Sequence, residues 1–263
     1  MIPDVPLLDL EADPKGCCAR LYESDAVRWL LDDQLHPGGE RLTLRLARLA
    51  GVAPGARVID VACGSGATAL LLARELGCVT VGVDLGARAI AQARQAARPG
   101  AGASFLVGDA EALPVAEASF DVALSECSLC TFPDKPRAIA EMARVVRPGG
   151  TIAIADVTAD LDALPAQLRS AAARVACIAD ARGAGDYAAL LCDAGCAPLA
   201  VEPHDAELRA MADRVEARLR AARILAPPGD QRERIREAAA LARMAIDAIA
   251  RGTLGYALIT GRV

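Results

Sequence analysis

The sequence is poor in aromatic residues and in histidine. It contains three Phe, three Tyr, one Trp and two His among 263 residues, although 54% of all residues are hydrophobic. A core with so few rings has to be built from Ala, Leu, Val and Ile. A structural zinc site needs four Cys or His ligands, and the chain has one C-x-x-C pair, Cys127 and Cys130, with no His nearby. These absences argue against a zinc site, and we expect no metal cofactor.

The chain also lacks an excess of positive charge and a long apolar run. Its net charge is −5 and its isoelectric point is about 5.2, which argues against a surface that follows nucleic-acid phosphates. No apolar run is long enough to cross a bilayer, and no signal peptide is recognised. We therefore expect a cytoplasmic protein that binds neither nucleic acid nor membranes. The length favours one domain with insertions.

Cysteine, in contrast, is abundant. In a reducing cytosol the cysteines are expected to be thiols, which are buried, metal-binding or reactive, rather than disulfides. Four of them occupy packing positions, which predicts structural roles: Cys63, Cys78, Cys192 and Cys196. The other five are Cys17, Cys18, Cys127, Cys130 and Cys177.

The chain is organised around the stretch from Arg57 to Gly66, RVIDVACGSG. Its β-branched residues predict a buried parallel strand, and Gly64 and Gly66 permit a tight turn close to a ligand. Residues 68–76, TALLLAREL, follow with apolar residues at helical spacing. A strand, a glycine turn and a helix in this order direct backbone N–H groups and the positive end of the helix at a ligand.

The glycine spacing distinguishes this turn from that of nicotinamide- and flavin-binding proteins. Those proteins have G-x-G-x-x-G, whereas Ala69 stands here in place of the third glycine. A second apolar strand, residues 79–83, leads to Asp84, whose carboxylate can accept both hydroxyl groups of a ribose. An adenosyl-amino acid, which has no pyrophosphate to neutralise, fits these features.

The combination of Asp60, Gly64, Gly66 and Asp84 resembles class I methyltransferases that use S-adenosyl-L-methionine (SAM). Two later segments are similar to motifs of the same family. GDAEALP at 108–114, followed by SFDV, resembles its adenine-binding turn and fourth strand, and VVRPGG at 145–150 resembles its turn before strand five. The resemblance spans residues 44–158 and is strongest to the arsenite and ubiquinone/menaquinone methyltransferases.

The resemblance implies that SAM is the cofactor, and it assigns roles to the residues of the first two strand ends. Gly64 and Gly66, in the turn that begins at Ala62, would contact the carboxypropyl part of SAM through backbone groups. Asp60 would bind the SAM ammonium group, directly or through water. Asp84 would hold the ribose.

The remaining implied contacts involve the adenine and the methyl group. Leu85 would pack on the adenine, Asp109 would accept a hydrogen bond from its amino group, and Ala110 would donate a backbone N–H. Ser125 and Glu126 would form the floor between the methyl donor and its acceptor.

We predict an α/β fold, a Rossmann-like, seven-stranded, mostly parallel sheet with an N-terminal helical lid and a helical insertion before the last strand. The predicted strands are 58–62, 79–83, 104–107, 120–124, 151–155, 197–201 and 255–263. The predicted helices are 40–49, 67–76, 87–97, 134–146, 160–178 and 185–194, with an insertion of two more at 204–223 and 230–250. The predicted division is a lid at 1–43, a SAM-binding core at 44–203, the insertion at 204–252 and the last core strand at 253–263.

The acceptor is suggested by Cys127, which follows the predicted fourth strand, where this fold presents groups to the transferred methyl. Residues 125–135, SECSLCTFPDK, resemble arsenite methyltransferases, which have a cysteine at this point. Cys177 and the pair Cys17 and Cys18 are similar to further cysteines of those enzymes. Trivalent arsenic is soft and binds thiolates, and its lone pair carries no proton, so no general base is needed. The resemblance implies arsenite held by Cys127, Cys177 and one of Cys17, Cys18 or Cys130.

Two other hypotheses remain open. The protein methylates an organic small molecule on carbon, oxygen or sulfur, or it binds SAM without transferring its methyl group. The insertion forms either a cap over the substrate or an interface, and the sequence does not distinguish a monomer from a homodimer. His36, in a Pro-Gly loop, either reaches the site or caps a turn.

Overall fold

The structure is a computed structural model that describes residues 29–31, 36–169, 178, 180–226 and 228–263. In this part of the chain, strands and helices alternate. The strands are β1 (Arg57–Val61), β2 (Val79–Asp84), β3 (Ala103–Val107), β4 (Phe120–Glu126), β5 (Val146–Ala159), β6 (Ala197–Pro203) and β7 (Leu254–Arg262). The helices are α1 (Gly39–Leu49), α2 (Ala67–Leu76), α3 (Ala87–Ala96), α4 (Lys135–Val145), α5 (Ala184–Asp193), α6 (Asp205–Leu225) and α7 (Asp230–Ala250).

The seven strands form one sheet in the order β3-β2-β1-β4-β5-β7-β6. The first five strands of this order run parallel, and β7 is antiparallel to both β5 and β6. The strand order reverses between β1 and β4, and ligands bind in α/β sheets beyond the carboxyl ends of the strands at such a point. The predicted Rossmann-like fold is confirmed.

Both faces of the sheet are covered by helices, as a parallel sheet requires. One face carries a cluster to which α1 contributes Leu42 and Leu46, and α7 contributes Ala248. The opposite face packs on α4 and α5. Side chains alternate between the faces of a strand, so Asp60, two residues after buried Val58, lies on the face that α1 covers.

Helices α6 and α7 form the predicted two-helix insertion between β6 and β7. The end of α7 joins the main core, whereas the far half of the pair has a cluster of its own, formed by Leu219, Ala222, Ala226, Ile235 and Ala239. The beginning of α6 is attached to Tyr256 on both sides, because His204 N donates to Tyr256 O at 2.7 Å and Tyr256 N donates to Asp205 Oδ1 at 3.0 Å. None of the described helices is long and apolar enough to span a membrane.

The predicted helix at 160–178 is wrong over its first ten residues. Strand β5 continues to Ala159, and residues 160–169 form turns that end in a 3-10 helix, Ala166–Arg169. Pro165 has no N–H and cannot continue an α-helix, and Asp160 Oδ1 accepts hydrogen bonds from the backbone N–H groups of Asp162 and Ala163 at 3.2 Å. Residues 170–177 lie outside the described part.

Candidate active site

The loop after β1 is shaped by three residues with left-handed backbones. The φ angles of Ala62, Gly64 and Gly66 are 61°, 53° and 83°. A Cβ atom at Gly66 would lie 2.6 Å from Phe105 Cε1, so this glycine is needed for close packing of the loop against β3. A Cβ atom at Gly64 would meet no atom within 4 Å. Gly64 therefore offers its backbone to an approaching ligand, whereas Gly66 holds the shape of the loop.

The Asp84 carboxylate joins the β1 loop to the beginning of α3. It accepts hydrogen bonds from Gly64 N at 2.8 Å and from Gly86 N at 2.7 Å. A carboxylate oxygen can accept two hydrogen bonds, so these contacts are compatible with a further one from a ribose hydroxyl. The next residue, Leu85, is 41% exposed and provides an apolar surface beside Asp84. The structure thus brings Gly64, Asp84 and Leu85 together.

Three carboxyl groups converge at the ends of β1, β2 and β4. Asp60 is 2% exposed, and its Oδ2 has no hydrogen-bond partner among the described residues. Burial, and then the negative charges of Glu126 and Asp84, raise the pKa of Asp60 well above its usual range. A cation would stabilise this group, because it supplies both the missing hydrogen bond and a compensating charge.

Glu126 is held beside Asp60 by the N-terminal helices. Its carboxylate accepts hydrogen bonds from Thr68 Oγ1 at 2.7 Å and from Thr43 Oγ1 at 3.0 and 3.1 Å. His36 Nε2 lies 3.9 Å from Glu126 Oε2, and the Glu126 side chain is only 4% exposed. His36 thus lies beside the end of β4, and its Nδ1 also lies 3.2 Å from Pro37 O within its own turn, so both interpretations of this residue stay predictions.

The turn after β3 is anchored to the end of β2. Gly108 N donates a hydrogen bond to Asp84 O at 3.0 Å. Asp109 Oδ1 accepts one from Glu111 N at 2.9 Å, which fixes the turn, and both Asp109 and Ala110 are half-buried. These two residues therefore lie at the same sheet edge as Asp84, and their contacts with adenine stay a prediction.

The end of β4 and the loop after it contain two buried hydroxyl groups and a strained cysteine. Ser125 is fully buried, with its Oγ 2.6 Å from Ser128 Oγ, so it supports the loop from inside. Cys127 has a left-handed backbone, with φ at 52°, and its N–H donates to Ala155 O at 2.7 Å. Such a conformation costs a residue with a side chain about 1 kcal/mol or more and marks positions where the rest of the structure demands it.

The cysteines predicted to hold arsenic are only partly within the described residues. Cys127 is half-buried and packs against the apolar cluster that contains Cys130, whereas Cys17, Cys18 and Cys177 lie outside the described part. Ile178, which follows Cys177, is buried in this same cluster. The cysteines in the described ranges form no disulfide, and no three or more His, Cys, Asp or Glu side chains there are grouped to hold a metal ion.

Tyr256 and Asp156 lie at this edge of the sheet but are absent from the sequence-based prediction. Both are fully buried, and the Tyr256 hydroxyl has no hydrogen-bond partner in the part of the chain that the structure describes. Asp156 accepts hydrogen bonds from Val157 N at 2.8 Å and from Cys130 N at 3.1 Å. The sequence does contain a signal for both residues, because each is a polar residue within an apolar run, Asp156 in IAIADV and Tyr256 in GYALIT.

Thr43 and Thr68 are also absent from the prediction. Thr68 is the second residue after Gly66 and could have been found by its position in the first turn of the helix. Thr43 carries no local signal, because its contact with Glu126 joins residues that are 83 positions apart in the sequence.

Comparison with known proteins identifies the central part of the chain. Residues 59–154 match the model of a family described as a methyltransferase domain. This part of the chain is a methyltransferase domain. Methyltransferase GfsG from Streptomyces halstedii is 39% identical over 128 residues, which are 48% of this chain and 46% of that protein. Arsenite methyltransferase from Halobacterium salinarum is 32% identical over 229 residues, which are 78% of this chain and 55% of that protein.

The chain spans about half the length of these two curated relatives. Among solved structures, the [4+2]-cyclase SpnF has a TM-score of 0.76 at 24% identity, covering 94% of this chain and 96% of that one. The similarity to SpnF extends the methyltransferase-type fold to nearly the whole chain. Because a fold hosts more than one reaction, the activity has to be argued from the site.

The cofactor of this class of methyltransferase domain is SAM, and the residues of the site fit it. The Asp60 oxygen, which has no partner in the described ranges, and the neighbouring Glu126 match an ammonium group in charge and in hydrogen bonding. The open side of Gly64 leaves space for a ligand against the backbone, and Asp84 and Leu85 offer a carboxylate and an apolar surface for a nucleoside.

Proposed function

We propose that this chain catalyses methyl transfer from SAM, which would bind across the carboxyl ends of β1, β2 and β3. The observation that carries the proposal is the buried Asp60 carboxyl, which has an unpartnered oxygen within the described residues and two further carboxylates beside it. Asp60 and Glu126 would bind the ammonium group, and the backbone from Ala62 to Gly66 would contact the carboxypropyl part. These contacts fix the position of the methyl group relative to the end of β4.

The nucleoside part would bind along the ends of β2 and β3. Asp84 would accept hydrogen bonds from the ribose, and the exposed Leu85 would pack on the adenine. Asp109 and Ala110 would bind the edge of the adenine ring. Ser125, whose Oγ lies 2.6 Å from Ser128 Oγ, would form part of the floor between the methyl donor and its acceptor.

We further propose that the acceptor is trivalent arsenic, bound by Cys127, Cys177 and either Cys17 or Cys18. The strained backbone of Cys127, directly after Glu126 at the end of β4, supports this proposal. So does the burial of Ile178, the neighbour of Cys177, in the cluster against which Cys127 packs. The alignment of 78% of the chain with a protein named arsenite methyltransferase agrees with it.

The proposed methyl transfer requires the protein to position the reactants and does not require a general base. As each thiol binds arsenous acid, a sulfur–arsenic bond forms, an arsenic–oxygen bond breaks, and the hydroxide leaves as water with the proton of the thiol. Bound SAM supplies a methyl group activated by its sulfonium centre. The cysteines would direct the arsenic lone pair, which carries no proton, while Thr43 and Thr68 hold the Glu126 carboxylate in place.

The same arrangement suggests roles for the outer segments. We propose that residues 1–43 form a lid and residues 204–252 a cap around the core at 44–203, with 253–263 as the last core strand. Arg218 on α6 donates hydrogen bonds to the carbonyl groups of Trp29 and Leu30, so the lid segment and the insertion touch in the described part.

The proposal is tested by incubating the protein with SAM, arsenite and a thiol reductant, followed by chromatographic speciation of methylated arsenic. We expect methylated arsenic from the wild-type protein and a rate at least about 100-fold lower from Cys127→Ser, because one positioning bond to arsenic is lost. Cys192→Ser is the matched control, since Cys192 is an exposed cysteine on α5, and it should leave the rate unchanged.

Full arsenic methylation by Cys127→Ser would reject the acceptor assignment. Calorimetric titration tests the shared premise separately. If neither SAM nor S-adenosylhomocysteine binds, methyl transfer as a whole is rejected.

The second candidate acceptor is an organic small molecule. Leu208 and Ala212 of α6 pack against the cluster that Cys127 also contacts, which gives the site an apolar wall. Release of S-adenosylhomocysteine with a set of phenols, thiols and carbon acids, but not with arsenite, would favour this candidate.

A further inference from the structure

The far end of the α6–α7 pair, residues 218–226 and 230–236 (the insertion tip), exposes two adjacent apolar side chains. Ile224 and Leu225 are 78% and 79% exposed, whereas no other large apolar side chain of the described residues exceeds 50%. Ala222 and Ala226, on either side of them, are buried in the cluster between the two helices, so the pair folds without using Ile224 and Leu225. An exposed apolar patch of this kind indicates a contact surface.

The surface around these two side chains is positively charged, although the chain as a whole has a net charge of −5. The arginines between residues 218 and 236 are Arg218, Arg220, Arg223, Arg232, Arg234 and Arg236, and the acidic residues there are Asp230 and Glu233. An open hollow of about 380 Å³ is lined by Arg223, Ile224, Arg232, Glu233 and Arg236. Glu233 pairs with Arg236, whereas Arg223 forms no ion pair with any residue in the described ranges. The insertion tip therefore suits an occupant that is both apolar and negatively charged.

A stretch of this same chain, outside the described part, has that composition. Residues 2–13, IPDVPLLDLEAD, combine large aliphatic side chains with acidic ones and contain no Lys or Arg. The aliphatic residues are Ile2, Val5, Leu7, Leu8 and Leu10, and the acidic residues are Asp4, Asp9, Glu11 and Asp13. Residues 2–13 are thus complementary to the insertion tip in charge and in hydrophobicity.

The position of Trp29 brings this stretch close to the insertion tip. Arg218 donates hydrogen bonds to the carbonyl groups of Trp29 and Leu30 at 2.9 and 3.0 Å, and Leu30 packs against the cluster between α6 and α7. Leu225 lies about 10 Å further along α6, at the rise of an α-helix. Residues 14–28 bridge up to about 50 Å when extended, so they are long enough to join the two places.

The covalent connection favours this occupant over a second chain. A tether holds a segment at an effective concentration of about 1 mM, which exceeds the concentration of a separate protein molecule in most solutions.

We propose that residues 2–13 dock on the insertion tip, with their aliphatic side chains over Ile224 and Leu225 and their carboxylates beside the arginines around Arg223. Docked there, they tie the proposed lid at 1–43 to the proposed cap at 204–252. The interaction needs neither SAM nor a methyl acceptor, so it stands independently of the proposed function.

The test places the photo-cross-linker p-benzoylphenylalanine at position 225 of the full chain. After irradiation, peptide mass spectrometry should identify residues 2–13 as the main cross-linked partner, within one chain. Position 199 is the matched control, because Leu199 is also an exposed leucine but lies on the edge strand β6. A cross-linker there should not capture residues 2–13.

Charge reversal measures the contribution of the arginines. Asp9→Arg should lower the cross-linking yield about fivefold, because attraction between exposed charges becomes repulsion. Adding Arg223→Glu to the same chain should restore part of the yield. Arg98→Glu is the control for this second change, since Arg98 is exposed and follows α3, the helix before β3 at the other edge of the sheet. It should restore nothing.

A yield at position 225 that does not exceed the yield at position 199 would overturn the inference, and so would a yield that Asp9→Arg leaves unchanged. Cross-links that join two chains, recognised in a mixture of isotope-labelled and unlabelled protein, would overturn it in favour of a dimer interface. Cosedimentation with phosphatidylglycerol vesicles that is lost in Leu225→Ser, without the cross-link to residues 2–13, would overturn it in favour of a membrane surface.

Discussion

Asp60 is a buried carboxyl group whose ionised form is unfavourable beside Glu126 and Asp84. Its pKa in the native protein is raised, so the protonated form contributes stability that is fully present below the unfolded pKa of about 3.9. That contribution is lost as the pH rises through the native pKa. At neutral pH, Asp60 therefore lowers the stability of the SAM-free protein, and a bound ammonium group would offset this loss.

Asp60→Asn is expected to stabilise the SAM-free protein at neutral pH by about 1 kcal/mol or more, because the buried acid is replaced by a neutral amide. Thermal unfolding should show a higher midpoint, and the gain over wild type should shrink as the pH is lowered toward 4. Calorimetry should show SAM binding weakened about tenfold or more.

Asp156→Asn provides the contrast for this prediction. Asp156 is equally buried, but its carboxylate is satisfied by two backbone N–H groups, so the amide should destabilise the protein. A lower unfolding midpoint for Asp60→Asn would show that the ionised carboxyl is compensated in the free protein.

At the scale of elements, Gly64 and Gly66 have different roles in the loop after β1. Gly66→Ala should destabilise the protein by about 2 kcal/mol or more, because its Cβ would clash with the Phe105 ring and its φ is 83°. Gly64→Ala should cost about 1 kcal/mol in stability, since its Cβ enters open space, but should weaken SAM binding at least about tenfold.

Urea unfolding and SAM titration of both variants separate the two effects. Equal losses of SAM affinity at equal losses of stability would contradict the division of roles between Gly64 and Gly66.

The sequence predicts the alternation of elements well because the strands are short apolar runs and their boundaries are set by local turn residues. It fails at 160–169, where the helical pattern competes with Pro165 and with the turn fixed by Asp160. The positions of Asp60, Gly64 and Asp84 at one edge of the sheet are predictable, because each lies at or just after the end of a short apolar strand and these two strands are neighbours. Thr43 and Tyr256 are not, because their positions depend on pairing between distant parts of the chain.

At the scale of the whole molecule, charged side chains join α1 to the edge strand β6 and to α6. Arg45 forms two hydrogen bonds to the Glu202 carboxylate of β6, and Arg41 pairs with Glu207 of α6. His204 lies between them, 2.7 Å from Glu202 and 3.4 Å from Glu207. This network joins the helix that carries Thr43 to the root of the insertion.

Glu202→Gln is expected to reduce the acid sensitivity of the protein. Arg45, and with a smaller effect His204, lowers the pKa of Glu202 to about 2. A depressed native pKa contributes stability that is present above the unfolded pKa of about 4.3 and lost as the pH falls through about 2. Glu202 is partly exposed, so the loss in Glu202→Gln at pH 7 should be about 1 kcal/mol or less.

Urea unfolding between pH 7 and pH 2 measures this effect. Glu75→Gln is the control, because Glu75 pairs with Arg74 on an exposed surface and should leave the profile of the wild type. Parallel profiles of the wild type and Glu202→Gln would show that the network does not stabilise the fold.

The hydrogen bonds of Tyr256 to His204 and Asp205 have a mechanical consequence. The main chain of this tyrosine is bound on both sides by the first residues of a 21-residue helix, so a displacement of that helix would be transmitted to β7 and to the carboxyl edge of the sheet.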